Sequence, residues 1–119
     1  QTDTLLAVLR QNGFDTAVGI DLVGGDAEFY AELMGDLYSD FLAADGAFLS
    51  ADATGDETTI RRVHSLKSSL RTLGANAGAT LAETVETGLR GGSVTEGDIA
   101  ALNAHVAALR AALGPYCSN

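Results

Sequence analysis

Apolar residues recur at helical spacing along most of this chain, and glycine or proline interrupts them at intervals that suit single helices. The last stretch is the plainest. Ile99, Leu102, Val106, Leu109 and Leu113 advance by three or four residues and run out at Gly114-Pro115. Thr95, with Asp98 three residues on, imitates a capping box, so a helix is expected to begin there and stop at the Gly-Pro pair. Runs of β-branched residues are few and Pro115 is the one proline, whereas alanine and leucine abound. Helices are therefore favoured almost throughout, and strands are not required.

The remaining segments read the same way. Asp3 can cap a short first helix carrying Leu5, Leu6 and Leu9, which Gly13 ends. The segment 20–26 reads as a turn that delivers Asp26 as the N-cap of a major helix. In that helix Tyr30, Leu33, Met34, Leu37, Tyr38 and Phe41 make the apolar face, while Glu28, Glu32, Asp36 and Asp40 make a solvated acidic one. Residues 45–56 are expected to continue it in part as helix before a turn near Gly55. A third helix runs from about 56 or 57 to 73 and stops at Gly74, and a fourth runs from about 76 to 89, followed by a loop of Arg90, Gly91 and Gly92. Such helices bury their stripes best as an all-α, antiparallel up-and-down four-helix bundle, with the short N-terminal helix capping one end. At 119 residues the chain is expected to form one domain over positions 1–119.

Charge narrows the function. Seven Lys and Arg against 16 Asp and Glu leave a net charge of −9, which argues against a broad electrostatic grip on nucleic acid or an anionic membrane. No apolar run approaches the roughly 18 to 20 residues that span a bilayer. The single cysteine, Cys117, has no partner for an intrachain disulfide, and no secretory leader follows Gln1, so a cytoplasmic setting is the simpler expectation. The non-Met start suggests a piece of a longer protein. No glycine-rich phosphate loop or Walker motif is present, and no autonomous kinase activity or intrinsic cofactor is expected.

The third helix holds the informative residues. Val63, Leu66, Leu70 and Leu73 form its inward stripe, and rotation by about 100° per residue puts His64 roughly 140° from the middle of that stripe. Lys67, Ser68 and Arg71 share its outward arc. Four of the seven basic residues, Arg61, Arg62, Lys67 and Arg71, lie within positions 61 to 71. A histidine side chain, with an ordinary pKa of about 6.5, is largely unprotonated and nucleophilic near neutrality. If it accepted a phosphoryl group, a lysine at i+3 would offset the charge and a small hydroxyl residue at i+4 would leave room. Periodicity and charge are equally met by an ordinary solvated histidine among surface cations, and spacing alone does not decide.

The residues themselves go further. Val63-His64-Ser65-Leu66-Lys67-Ser68-Ser69-Leu70-Arg71-Thr72-Leu73-Gly74-Ala75 resembles the signature of the histidine-containing phosphotransfer (HPt) domain: histidine, any residue, Leu or similar, Lys, Gly, two small residues, two variable ones, an apolar residue and Gly. Gly24-Gly25-Asp26 with Phe29-Tyr30 and Leu33-Met34 is similar to the family's entry into its second helix. The resemblance implies a four-helix bundle that carries phosphate on His64 and exchanges it with aspartates of receiver domains, such as those of a hybrid sensor histidine kinase. It implies Lys67 as an electrostatic aid, and Ser68, Arg71, Ile60 and Arg61 as docking residues, with Ile60 on the exposed side of the helix. Mg²⁺ is expected on the partner receiver. Two departures stand out: Ser68 where the family has glycine, and Leu70 where it has a small residue. Slightly restricted access and an altered partner fit follow from them.

Two readings from other classes stay open. One is a helical interaction module that uses the basic face without chemistry; the other is a histidine domain phosphorylated directly by a kinase core, as in chemotaxis kinases. His105, on the edge of the last helix's stripe, reads as a packing or surface residue, and Cys117 as part of a frayed tail. The two histidines lie too far apart in sequence to suggest a metal site.

Overall fold

The computed structural model describes residues 2–117, and all of its regular structure is helical. Six α-helices follow in order: α1 (Thr2–Gln11), α2 (Thr16–Leu22), α3 (Ala27–Leu37), α4 (Glu57–Thr72), α5 (Asn76–Gly91) and α6 (Glu96–Cys117). A π-helical turn, Tyr38–Leu42, extends α3. The main start signals act as expected. Asp26 accepts from the amides of Glu28 and Phe29, Asp56 from that of Thr59, and Thr95 Oγ1 from that of Asp98. Each satisfies donors that the first turn leaves bare.

Buried side chains from every layer meet in one core. Tyr30, Met34, Leu42, Val63, Leu66, Leu70, Val85, Leu102 and Leu113 are all essentially inaccessible. α4 pairs most extensively with α5, α5 also packs on α6, and α6 supports the π turn. Among the described residues no helix is long and apolar enough to cross a membrane.

Asp3, expected as a cap, lies inside the first turn of α1, and four larger departures from the expected elements have local causes. Residues 16–22, partly assigned to a turn, form α2, capped by Asp15. Gly19, a poor helix former, is needed inside it because a Cβ there would lie 2.6 Å from the Leu73 carbonyl oxygen. The π turn inserts an extra residue after Leu37, which buries Leu42 and leaves Phe41 half-buried. Residues 43–56 form a non-helical strap, not a continuation of the helix. The Asn103 side chain accepts from the Leu49 amide at 2.9 Å and donates to the Leu49 carbonyl at 2.9 Å, while Arg110 donates to the carbonyls of Ala44 and Gly46. Finally, α6 continues through Pro115. A proline so late in the helix removes one donor from its last turn only. Cys117 accordingly belongs to α6 and is half-buried against the core, with its thiol pKa raised by burial.

The C-terminal end of α4 is fastened at several points. Gly74 adopts φ +88°, the Ala75 amide reaches back to the Leu70 carbonyl at 2.7 Å, and the Asp15 amide donates to the Gly74 carbonyl at 2.9 Å. The buried Tyr30 hydroxyl donates to the Leu73 carbonyl at 2.6 Å. Burial, with a smaller contribution from Asp15, pushes the Tyr30 phenol up to about 12.

Gly74 and Gly13 give a matched test. Both have positive φ, but a Cβ at Gly74 would stand 2.2 Å from the Asp15 carbonyl oxygen, whereas at Gly13 nothing lies within 4 Å. Gly13→Ala should cost about 1 kcal/mol from backbone strain, and Gly74→Ala about 3 kcal/mol or more. Urea denaturation checks this, and equal losses would contradict the close approach.

Candidate functional site

α4 presents its residues on three sides. Val63, Leu66 and Leu70 point into the core, His64, Lys67 and Arg71 meet α5, and Ser68 and Thr72 border α3. His64 stands outward as expected, its side chain 51% exposed. Lys67 does not: its side chain is only 16% exposed, and the ammonium turns along the helix surface toward α5.

Its target is Glu86, a buried carboxylate that the sequence reading did not single out. Glu86 Oε2 lies 2.9 Å from His64 Nδ1, 3.0 Å from Arg90 Nε and 2.8 Å from Arg90 Nη2. Lys67 Nζ lies 2.7 Å from Oε1. That approach is close but oblique, so Oε1 has a positive charge beside it and no well-aligned donor. Burial is the largest single influence on Glu86 and pushes its pKa up. The close Lys67 ammonium, with the hydrogen bonds from Arg90 and His64, outweighs it and holds the carboxyl down at about 2.

The anion sets the state of the imidazole. An ionised carboxylate can only accept, so the 2.9 Å contact requires the proton on Nδ1, and in the neutral ring Nε2 then carries the lone pair. Among the described residues the ring has no second hydrogen bond. The nitrogen farther from the backbone is thus both nucleophilic and reachable.

The other cations are partnered. Arg71 Nη2 donates to Glu83 Oε1 at 2.7 Å, and this hydrogen bond, then the Arg71 charge, lowers the Glu83 pKa. Arg62 sits 4.4 Å from the Phe48 ring centroid, and Arg61 makes a 3.9 Å contact with Glu57. Ile60, expected on the exposed side, is half-buried and packs against the core's edge, because α4 leans on α5 along that side. Ser68 is exposed at the rim of a groove of about 240 Å³, which is lined by Leu33, Leu37, Phe41 and Leu73 with Asp36 and Asp40 at its edge. Leu70 is buried, and Gly78 on α5 accommodates its volume: a Cβ at Gly78 would lie 3.2 Å from Leu70 Cδ1 and 2.7 Å from His105 Nε2. His105 is half-buried there, its pKa lowered by desolvation. Among the described residues no group of His, Cys, Asp and Glu is arranged to hold a metal ion.

A signal for Glu86 existed in the sequence. Ala79, Ala82, Glu86 and Leu89 advance by three, four and three residues, which places one charge on a helix's buried stripe. Arg90, expected in a loop, belongs to α5 and pairs with Glu86 at i+4. Compared with known families, residues 28–112 match the model of the Hpt domain. Neither the comparison with curated proteins nor that with solved structures gives a match.

The acid titration of the fold follows from Glu86. Its folded pKa is depressed, so its charged form stabilises fully above about 4.5, the ordinary value, and that contribution is lost as pH falls toward about 2. Glu86→Gln should be less stable than the wild type by on the order of 2 kcal/mol above that window, with the gap closing within it. Denaturant titrations across this pH range check it, and a gap independent of pH would contradict an ionised, paired Glu86.

Proposed function

Because the chain belongs to the Hpt domain family, whose activity is histidine phosphotransfer in two-component systems, we propose that His64 is the residue that carries the phosphoryl group. It accepts phosphate from the aspartate of one receiver domain and passes it to another. The supporting observation is the Glu86–His64 contact, which leaves Nε2 as the free nucleophile on a half-exposed ring. In the transfer the Nε2 lone pair attacks phosphorus, the N–P bond forms, and the bond to the aspartyl oxygen breaks, with the electron pair leaving on that carboxylate. No proton moves. The Nδ1 proton stays against Glu86, whose negative charge compensates the positive charge that the phosphorylated ring acquires. Keeping that proton also makes the ring a good leaving group for the onward transfer.

Lys67 offsets charge on the phosphoryl oxygens. Docking involves Ser68, Arg71 and Arg61 with the apolar groove beside Ser68, while half-buried Ile60 contributes at the margin. The receiver supplies its own acidic pocket and Mg²⁺. α3 to α6 act as an antiparallel four-helix bundle with the N-terminal helices at one end, and the site of action is cytoplasmic, where receiver domains reside.

Incubation with a phosphorylated receiver domain should give a base-stable, acid-labile label that His64→Gln abolishes. Lys67→Ala should slow labelling about tenfold, or about 1.4 kcal/mol in the barrier, with helix content retained by circular dichroism. A label that survives His64→Gln would overturn the site assignment. Labelling only from ATP with a kinase core would replace the receiver as donor, and no labelling from either source would leave the non-catalytic interaction module.

A further inference from the structure

The Glu86 cluster holds one cation more than its resting charge needs. With a neutral His64, the Glu86 anion faces both the Lys67 ammonium and the Arg90 guanidinium. The two cations are divided between its oxygens: Arg90 grips Oε2 through two nitrogens, at 2.8 and 3.0 Å, while Lys67 alone attends Oε1. A phosphoryl group on Nε2 brings a charge of about −2 to the same surface. Lys67, one helical turn from His64, is the cation able to answer it, but the resting structure commits that ammonium to Glu86. Moving it away from a buried carboxylate that had no other counter-ion would leave an uncompensated charge, which is costly.

On the reading of His64 as the phosphoryl carrier, we infer that Arg90 is a positioning residue that holds Glu86 in place so that Lys67 can leave it for the phosphoryl group. Arg90 is well suited to this. It sits in the last turn of α5, four residues beyond Glu86, where a cation is favoured both by the helix dipole and by the i, i+4 pairing. Its fork grips the same oxygen that receives His64 Nδ1, so the imidazole keeps its orientation while Oε1 is released. Lys67 is then a cation held in reserve, and Glu86 is its resting place. No bond is made or broken in this exchange beyond the phosphoryl transfer itself.

Phosphoramidate, a small-molecule phosphoryl donor, permits a test without a partner protein. Phosphohistidine formation is followed by ³¹P NMR in the wild type, Lys67→Ala, Arg90→Ala, Arg90→Lys and the two double variants that add Lys67→Ala. In the wild-type background Lys67→Ala should slow formation about tenfold. In the Arg90→Ala background it should change the rate by less than about twofold, because Lys67 stays bound to Glu86, and Arg90→Lys should restore most of the difference. The Lys67 ¹⁵Nζ resonance of the wild type should shift on phosphorylation. An equal Lys67→Ala effect in both backgrounds, or an unmoved Nζ resonance in phosphorylated wild type, would overturn the role of Arg90. The second result does not depend on whether Arg90→Ala folds. A wild type that never yields phosphohistidine would instead overturn the reading of His64, and this inference with it.

Discussion

One buried carboxylate organises the face of α4 and α5 that carries His64. Glu86 sits where an apolar residue would ordinarily fill the α4–α5 interface, and it is tolerable there only because three nitrogen-bearing side chains converge on it. Removing the anion from water disfavours its charge, yet the surrounding donors reverse that and leave it ionised far below neutral pH. The consequence reaches the surface through a single hydrogen bond. A fixed negative charge on the inner side of the imidazole dictates which nitrogen holds the proton, and so which nitrogen can react.

The rest of the fold keeps that geometry in register. α4 is held at its far end by the Gly74 turn, the Asp15 amide and the Tyr30 hydroxyl, and along its length by the α5 packing that places Glu86 opposite His64. The strap after the π turn is clamped to α6 by Asn103 and Arg110, and it lays Phe48 under Arg62. Each of these contacts joins elements distant in sequence, so helices that could slide or rotate independently are fixed against one another. The half-exposed histidine is therefore carried on a helix fastened at both its end and its side.

Much of this was legible from residue spacing. The caps at Asp26, Asp56 and Thr95, the Gly74 stop and the inward stripe of α4 all follow from local chemistry that one helix determines by itself. Two kinds of feature escaped. Where tertiary packing overrides local preference, as in α2 with Gly19 pressed on Leu73, and at the π turn that shifts Leu42 inward, periodicity misplaced the element. Where a cluster draws on two helices, the pattern of one helix shows only its own half. His64 and Lys67 lie in a recognisable run, whereas Glu86 and Arg90 come from α5, outside that run. The charge on an otherwise apolar stripe was the one available clue. Ser68 and Leu70, which depart from the family's pattern, resolve differently. Gly78 makes space for the leucine inside the fold, while the serine remains at the surface where a partner would feel it.

On the proposed function, Nε2 of His64 is the atom that bears the phosphoryl group. Heteronuclear ³¹P–¹⁵N correlation on ¹⁵N-histidine-labelled, phosphorylated protein reads this directly. Coupling of phosphorus to Nε2 of His64, with the proton retained on Nδ1, is the expected result. Coupling to Nδ1, or to His105 with His64 unmodified, would contradict it.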